Sequence, residues 1–322
     1  MPSKTILVVS DIHYAGPSEQ ARPDYELRRI QNPLGRFVLR NYRRHVWLRD
    51  PLQKNYLLDK FLAQSPPTDF VVANGDYSVD TGFVGVSDEA AFESVEICLA
   101  KLRDKFGNKL HAIFGDHELG KFSMVGQHGG LRVASFHRAT KNLGLKPFWK
   151  IELEKFLLLG VTSSLIALPV YEPETLPDEL PVWRELRDAH LAEIRDAFHR
   201  IPSQQRIILF CHDPTALPFL AEEEAVVEKL GQMDHTVIGH LHSPALLWNS
   251  KLLAGMPVIS FCGGTVRRLS RALRAARSWK QFKPKLCPSL AGIELLKDGG
   301  FLLIHLPDSG QPSSIESKKL LR

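Results

Sequence analysis

The chain has 322 residues, 44% of them hydrophobic, with 41 Lys and Arg against 36 Asp and Glu for a formal charge of +5. That is enough apolar residue to bury a large core, as one domain or one domain with an insertion. The four cysteines, Cys98, Cys211, Cys262 and Cys287, lie far apart with no CxxC spacing, which speaks against a disulfide scaffold or a zinc–thiolate site and for a reducing compartment. The run before Asp11 is too short for a signal peptide, and no later stretch reaches about 18 consecutive apolar residues. The expectation is a soluble cytoplasmic protein, with peripheral contact on the inner membrane face as an alternative.

Taken in order, Thr5 to Ser10 reads as the first strand. The segment that follows is basic and aromatic: between Arg28 and Arg49 it carries seven arginines (28, 29, 36, 40, 43, 44 and 49) interleaved with Phe37, Val38, Tyr42 and Trp47. It reads either as an excursion with solvated arginines or as an element that meets an anionic ligand or membrane surface. Leu52 to Ala63 is the helix that packs back on the sheet, stopped by Pro66-Pro67. Phe70 to Ala73 is the second strand. Ser87 is the expected N-cap of a helix through Phe106, whose inward face is Ala91, Val95, Cys98, Leu99 and Leu102. Leu110 to Phe114 is the third strand, and Phe122 to Pro147 reads as loops with one short helix. Phe148 to Leu159 suggests a hairpin. Trp183, Leu186, His190, Ile194 and Ala197 mark an amphipathic helix. Arg206 to Cys211, Thr236 to Ile238, Val258 to Cys262 and a hairpin from Ala291 to Leu306 turning at Asp298-Gly299-Gly300 complete the strands. With no internal repeat and no clean linker, the expectation is a single domain over 1–322, with an insertion at about 15–60 and a basic amphipathic segment at about 266–285.

Five of these strand-like runs end in acidic or histidine residues: Asp11-Ile12-His13, Gly75-Asp76, Gly115-Asp116-His117-Glu118, His212, and Gly239-His240-Leu241-His242. Apolar runs of that length read as buried strands of a layered α/β sheet, and ligands sit at the carboxyl ends of such strands. Alternation along an extended segment puts Asp11 and His13 on one side, and likewise His240 and His242. Glycines before Asp76, Asp116 and His240 permit sharp turns. Carboxylates and imidazoles are ligands for Mn, Fe and Zn. Seven of them exceed the needs of one ion and suit two, bridged by a carboxylate at about 3.5–4 Å. A lone DxH or HxH is a weak signal, but the whole set in this order is strong.

The order DxH, GD, GDHE, H, GHxH, spanning Asp11 to His242, resembles the calcineurin-like metallophosphoesterases. The resemblance implies a four-layered α/β/β/α sandwich and two divalent ions, Mn foremost, with Fe and Zn as alternatives. Carried over, Asp11, His13 and His242 hold one ion, Asp116, His212 and His240 the other, and Asp76 bridges them. His117 matches the family histidine that faces the substrate. The implied reaction is attack on phosphorus by a metal-bridging hydroxide, cleaving a phosphoester or pyrophosphate bond of an anionic substrate. Asp116 departs from the asparagine usual at its position, adding negative charge that favours metal. Asp80, one position later than a frequent family acid, receives no role.

For substrate, a second basic run, Arg267, Arg268, Arg271, Arg274, Arg277, Lys280, Lys283 and Lys285, lies beside Leu269, Leu273, Ala276, Trp279 and Phe282 at helical spacing. It reads as an ordinary helix packing its apolar stripe on the sheet, or as part of a site for a partly apolar anion. In character the insertions are similar to those of the pyrophosphatases that act on UDP-2,3-diacylglucosamine in lipid A synthesis. Nucleic acid fits less well, because the aromatics follow amphipathic order instead of tracking a groove. A catalytically inactive protein-binding scaffold of the same fold is the reading from a different class.

Overall fold

Ten strands build two five-stranded sheets in a computed structural model that describes residues 4–321 except 29, 31, 43, 44, 46–50, 122–128, 260–263 and 292–298. The strands are β1 (Lys4–Val9), β2 (Phe70–Ala73), β3 (Leu110–Ala112), β4 (Phe148–Glu152), β5 (Phe156–Val161), β6 (Arg206–Cys211), β7 (Met233–Ile238), β8 (Pro284–Leu286), β9 (Gly300–Leu306) and β10 (Ser314–Lys319). The first sheet has the order β10-β9-β1-β2-β3 and the second β4-β5-β6-β7-β8. The strands β1, β2 and β3 are parallel, as are β5, β6, β7 and β8. The outer strands β9, β10 and β4 run antiparallel to their neighbours. Long helices are α1 (Pro33–Tyr42), α2 (Tyr56–Gln64), α3 (Glu89–Phe106), α4 (Val133–Lys141), α5 (Leu180–His199), α6 (Pro244–Leu252) and α7 (Gly264–Ala275).

Alternation along the strands explains why the apolar runs are continuous. Ile6, Val8 and Val72 of one sheet share a buried cluster with Leu158, Ile208, Phe210 and Val237 of the other, so the sheets pack face to face. Their neighbours Leu7, Val9 and Val71, and Leu157, Leu159 and Leu209, point the other way, into a cluster with Val95, Cys98, Leu99 and Leu102 of α3 and with Trp183, Leu191, Ile194 and Phe198 of α5. The central strands β1, β2, β5, β6 and β7 are thus buried on both faces, as helix-covered sheets require. The expected four-layered α/β/β/α arrangement is the one observed.

Several expectations shift in detail. The N-cap of α3 is Asp88, whose side chain accepts from the Ala90 and Ala91 N–H groups; Ser87 instead closes the preceding turn, its hydroxyl donating to the Val84 carbonyl at 2.6 Å. The last hairpin is β9 with β10, its turn falling after Leu306, while 292–298, the expected first arm, lie outside the described residues. Val258 and Ile259 belong to no strand, and the rest of that expected strand is likewise outside them. In the basic stretch, Leu273, Ala276, Trp279 and Phe282 are buried. That apolar stripe packs inward as an ordinary helix would, and the chain then enters β8 at the sheet edge. Helix α1 in the first insertion buries none of its residues; arginines 29, 43, 44 and 49 lie outside the described residues. Among the described residues no helix is long and apolar enough to cross a membrane.

Candidate metal centre

Both sheets deliver their parallel strands to one rim. Residues Ile6 to Val9 pair with Phe70 to Ala73, so β1 and β2 end level and release Asp11 and Asp76 side by side. From the second sheet, β6 leads into His212 and β7 into Gly239-His240. The sheets are tied at that edge by the His212 ring, whose Nδ1 lies 2.6 Å from the Asn74 carbonyl oxygen.

The chain leaves the strands through unusual backbone. Asp11, His13, Asp76, His240 and His242 all have φ between +48° and +58°, the left-handed region that costs a non-glycine residue energy. The two DxH- and HxH-type pairs are therefore not extended segments. His240 and His242 each sit in a tight turn, closed by the i to i+2 hydrogen bonds from Leu241 N–H to the Gly239 carbonyl and from Ser243 N–H to the Leu241 carbonyl, while the Ile12 and His13 N–H groups donate to the Asp76 carbonyl. Strand alternation was the wrong reason for the right side. The glycines also act differently from expectation. Gly75, at φ +91°, supplies a turn, but Gly115 and Gly239 supply room: a Cβ on Gly115 would meet Asp76 Oδ1 and stand 2.5 Å from the Asp76 nitrogen, and one on Gly239 would meet Ser10 Oγ and stand 2.6 Å from Asp11 Oδ2.

All seven expected ligand residues converge. Asp11, His13, Asp76 and His242 form one group and Asp76, Asp116, His212 and His240 a second, each with its ligand atoms within 4.8 Å of one another. Asp76 belongs to both. His212 Nε2 lies 3.1 Å from Asp76 Oδ2 and 3.6 Å from Asp116 Oδ1. His240 Nδ1 lies 3.2 Å from Asp116 Oδ1, and His242 Nε2 lies 3.0 Å from Asp11 Oδ1. His13 Nε2 and His242 Nε2 face each other at 3.3 Å. In His13 and His212 the other nitrogen, Nδ1, is placed to donate to a backbone carbonyl, of Ser78 and Asn74 respectively. That fixes the tautomer and leaves the Nε2 lone pair facing the site, towards Asp76 and Asp116 in His212 and towards His242 in His13, the arrangement that outer partners impose on metal-binding imidazoles.

The donor set fits divalent ions. Three buried carboxylates carry three negative charges, and among the described residues their ion-pair partners are histidines alone. Asp11 Oδ2 is buried without a hydrogen-bond partner. Buried charge in that state needs a cation, and protons take its place. Burial would depress His212 and His240, but Asp76 and Asp116 hold the first well above the ordinary histidine range, and Asp213 with Asp116 raise the second to about 10. Burial would raise Asp11 and Asp116, yet His242 for the former and His240 for the latter pull them below the usual carboxylate range. Asp76 moves the other way, lifted by burial and by Asp116 beside it. His13 falls to about 3 through burial and the neighbouring His242.

His117 stands beside both groups without joining either. Its Nδ1 lies 2.7 Å from the same Ser78 carbonyl that receives His13, its ring centroid is 4.7 Å from that of His13, and its Nε2 is 3.7 Å from Asp76 Oδ2. Burial, then Lys121 and His13, lower its pKa well below the ordinary histidine value, so the ring is neutral, with its proton on Nδ1.

Sequence reasoning places Glu118 in the motif but gives it no role. Its side chain is fully buried: Oε2 accepts from the backbone N–H of Gly115 at 2.8 Å and of Asp76 at 3.1 Å, and Oε1 accepts from Tyr77 at 2.8 Å. This carboxylate fastens the ends of β2 and β3 to each other. The available signal was its spacing three residues after Gly115, that of a capping box. Asp80, also buried, accepts from the Gly85 N–H and shapes the loop after Asp76.

Comparison with known proteins gives three findings. A profile described as calcineurin-like phosphoesterase matches residues 4–244. No curated protein sequence matches. Among solved structures, a phosphopantetheinyl hydrolase from Mycobacterium tuberculosis is similar at 14% identity over 75% of this chain and 84% of that one, with a TM-score of 0.37; a likeness that slight transfers no activity.

Proposed function

The chain belongs to the calcineurin-like phosphoesterase family of metal-dependent phosphoester hydrolases, and from that premise we propose how its residues divide the work. The reading is a dinuclear phosphohydrolase for an anionic, phosphate-containing substrate. The single observation that carries it is the pair of four-residue groups sharing Asp76. Asp11, His13 and His242 would hold one divalent ion, Asp116, His212 and His240 the other, and Asp76 both; Mn is the first choice, with Fe and Zn as alternatives. When bound, such a pair supplies an acidified water as nucleophile and positive charge against the phosphoryl oxygens.

The chain's own contribution is positional. Ser78 offers one carbonyl to both His13 and His117, so a ligand and the substrate-facing ring share an anchor. With Nδ1 committed there, His117 presents Nε2 to the site. An incoming phosphate brings the negative charge that restores the affinity of Nε2 for a proton, which it then donates to phosphoryl or leaving oxygen. Asp11, Asp76 and His212 are buried, so their charges act at low dielectric. The convergence of all seven ligand positions and His117 weighs against an inactive scaffold.

A second reading concerns the substrate. Helix α1 exposes Leu34, Phe37 and Val38 on the same short helix as Arg36 and Arg40, a surface that suits a lipid-linked pyrophosphate such as UDP-2,3-diacylglucosamine at the cytoplasmic membrane face. The test is product release with Mn from an aryl phosphodiester, nucleoside diphosphates and UDP-diacylglucosamine in detergent. Turnover of any of them supports the hydrolase, and selective release of UMP from the last supports the lipid reading. His117→Ala should keep its two ions and lose on the order of 100-fold or more in turnover. Loss of metal together with activity would remove the substrate-facing role, and full metal occupancy with no turnover of the panel would overturn the proposal.

A further inference from the structure

Helix α6 begins two residues after His242 and is built inside out. Only Leu247 is buried. Ala245, Trp248 and Leu252, spaced i, i+3 and i+7, form one stripe, and it faces outward: Trp248 is 63% exposed and Leu252 66% exposed, with Leu253 following them. Large apolar residues at that spacing normally face a core. The turn that follows it is tied to helix α7 by the hydrogen bond from Gly255 N–H to the Leu273 carbonyl, and α7 adds Leu269, 58% exposed. A surface groove beside the end of α7 is lined by Met256, Pro257 and Val258 together with Arg274 and Arg277.

The charge of this region is one-sided. Between Asp234 and Glu294 the sequence holds nine Lys and Arg and no Asp or Glu. Of those cations Lys251, Arg271, Arg274 and Arg277 are exposed on or beside the two helices, and among the described residues none of the four has an ion-pair partner. We propose that the α6–α7 face docks on an anionic lipid bilayer, with Trp248, Leu252, Leu253 and Leu269 entering the interface and the cations meeting headgroup phosphates. Exposed tryptophan and leucine beside lysine and arginine are what an interfacial helix uses. A second copy of this chain is a poor occupant, since the same face would bring these four cations against four. Nucleic acid would use the arginines but has no place for three exposed leucines. The docking deepens the lipid-linked reading, on which it rests only for what it serves, because α6 follows directly from a candidate metal ligand.

Flotation of the full chain with vesicles tests it without any substrate. The chain should float with phosphatidylcholine–phosphatidylglycerol vesicles, lose binding at high salt, and stay behind with phosphatidylcholine alone. Trp248→Ala combined with Leu252→Ala should weaken flotation about tenfold, and so should Arg274→Glu combined with Arg277→Glu. Aryl phosphodiester turnover in both variants should match the parent, which shows that they are folded. Flotation that ignores lipid charge, or that survives both double variants, overturns the proposal. So does a short oligonucleotide bound through the arginines but not through Trp248 and Leu252, and so does a concentration-dependent dimer lost in the Trp248/Leu252 variant. Docking without turnover of any phosphoester would sink the hydrolase reading and leave the bilayer face standing.

Discussion

Glu118 is the residue on which the rim depends without touching the reaction. Burial and the neighbouring Asp76 push its carboxyl up to about 8, while the N–H groups of Tyr77 and Gly115 pull it back. A cation on Asp76 removes the second cause and leaves an anion held by three backbone donors. Glutamine has the same shape but only one carbonyl oxygen, so either the Tyr77 N–H or the two N–H groups on Oε2 would face an amide nitrogen. A buried donor left unsatisfied costs about 1–3 kcal/mol. Glu118→Gln should therefore lower the stability of the Mn-loaded protein by about that amount and reduce its metal content, measured by urea denaturation and elemental analysis. Unchanged values for both would mean that the strand ends hold each other without it.

At the scale of elements, helices and central strands were legible because they repeat. Apolar runs buried on both faces gave β1, β2, β6 and β7, and i, i+3, i+4 spacing gave α3 and α5. The rim was legible as a set of residues and not as a geometry. Asp11 and His13 reach the same side through left-handed turns, and no local pattern distinguishes such a turn from an extended segment when its residues are not glycine. The glycines carried a signal that was misread, because close approach depends on which distant strand comes near: Gly239 faces Ser10 and Asp11, over 200 positions away in sequence. Edge strands such as β8, three residues long, and the outward stripe of α6 were illegible for the converse reason, being too short or facing the wrong way. Gly239→Ala tests the reading of close approach. Its Cβ would push β7's exit from that of β1, with an expected loss of about 1–3 kcal/mol and weakened metal retention. Gly231→Ala, where a Cβ would meet nothing within 4 Å, should stay within about 0.5 kcal/mol of the parent. Equal losses in thermal denaturation would show that crowding at the rim is not what Gly239 relieves.

For the whole molecule, protons and divalent ions compete for one set of buried lone pairs that joins the two sheets. In the metal-free protein His240 keeps its proton up to about 10 because Asp213 and Asp116 outweigh the effect of burial, and His212 is raised well above its ordinary value by Asp76 and Asp116. A histidine whose folded pKa exceeds its unfolded value of 6.5 stabilises the fold fully below that value and loses the contribution as pH rises through the folded pKa. The metal-free protein should accordingly weaken across the window from 6.5 to about 10. A bound ion needs the same nitrogens deprotonated, so its contribution grows with pH as that of the protons fades. At a free concentration about 100 times Kd it adds about 2.7 kcal/mol, worth a few degrees in a chain of this size. Mn should therefore raise Tm more at about pH 8 than at about pH 6, and its binding should release protons. Thermal melts of chelated and Mn-loaded protein across that range, with calorimetry in two buffers of different ionisation enthalpy, measure both. An equal Tm increment at both pH values with no proton release would mean that the ions and the His212 and His240 protons occupy different places, and that the carboxylates alone hold the metal.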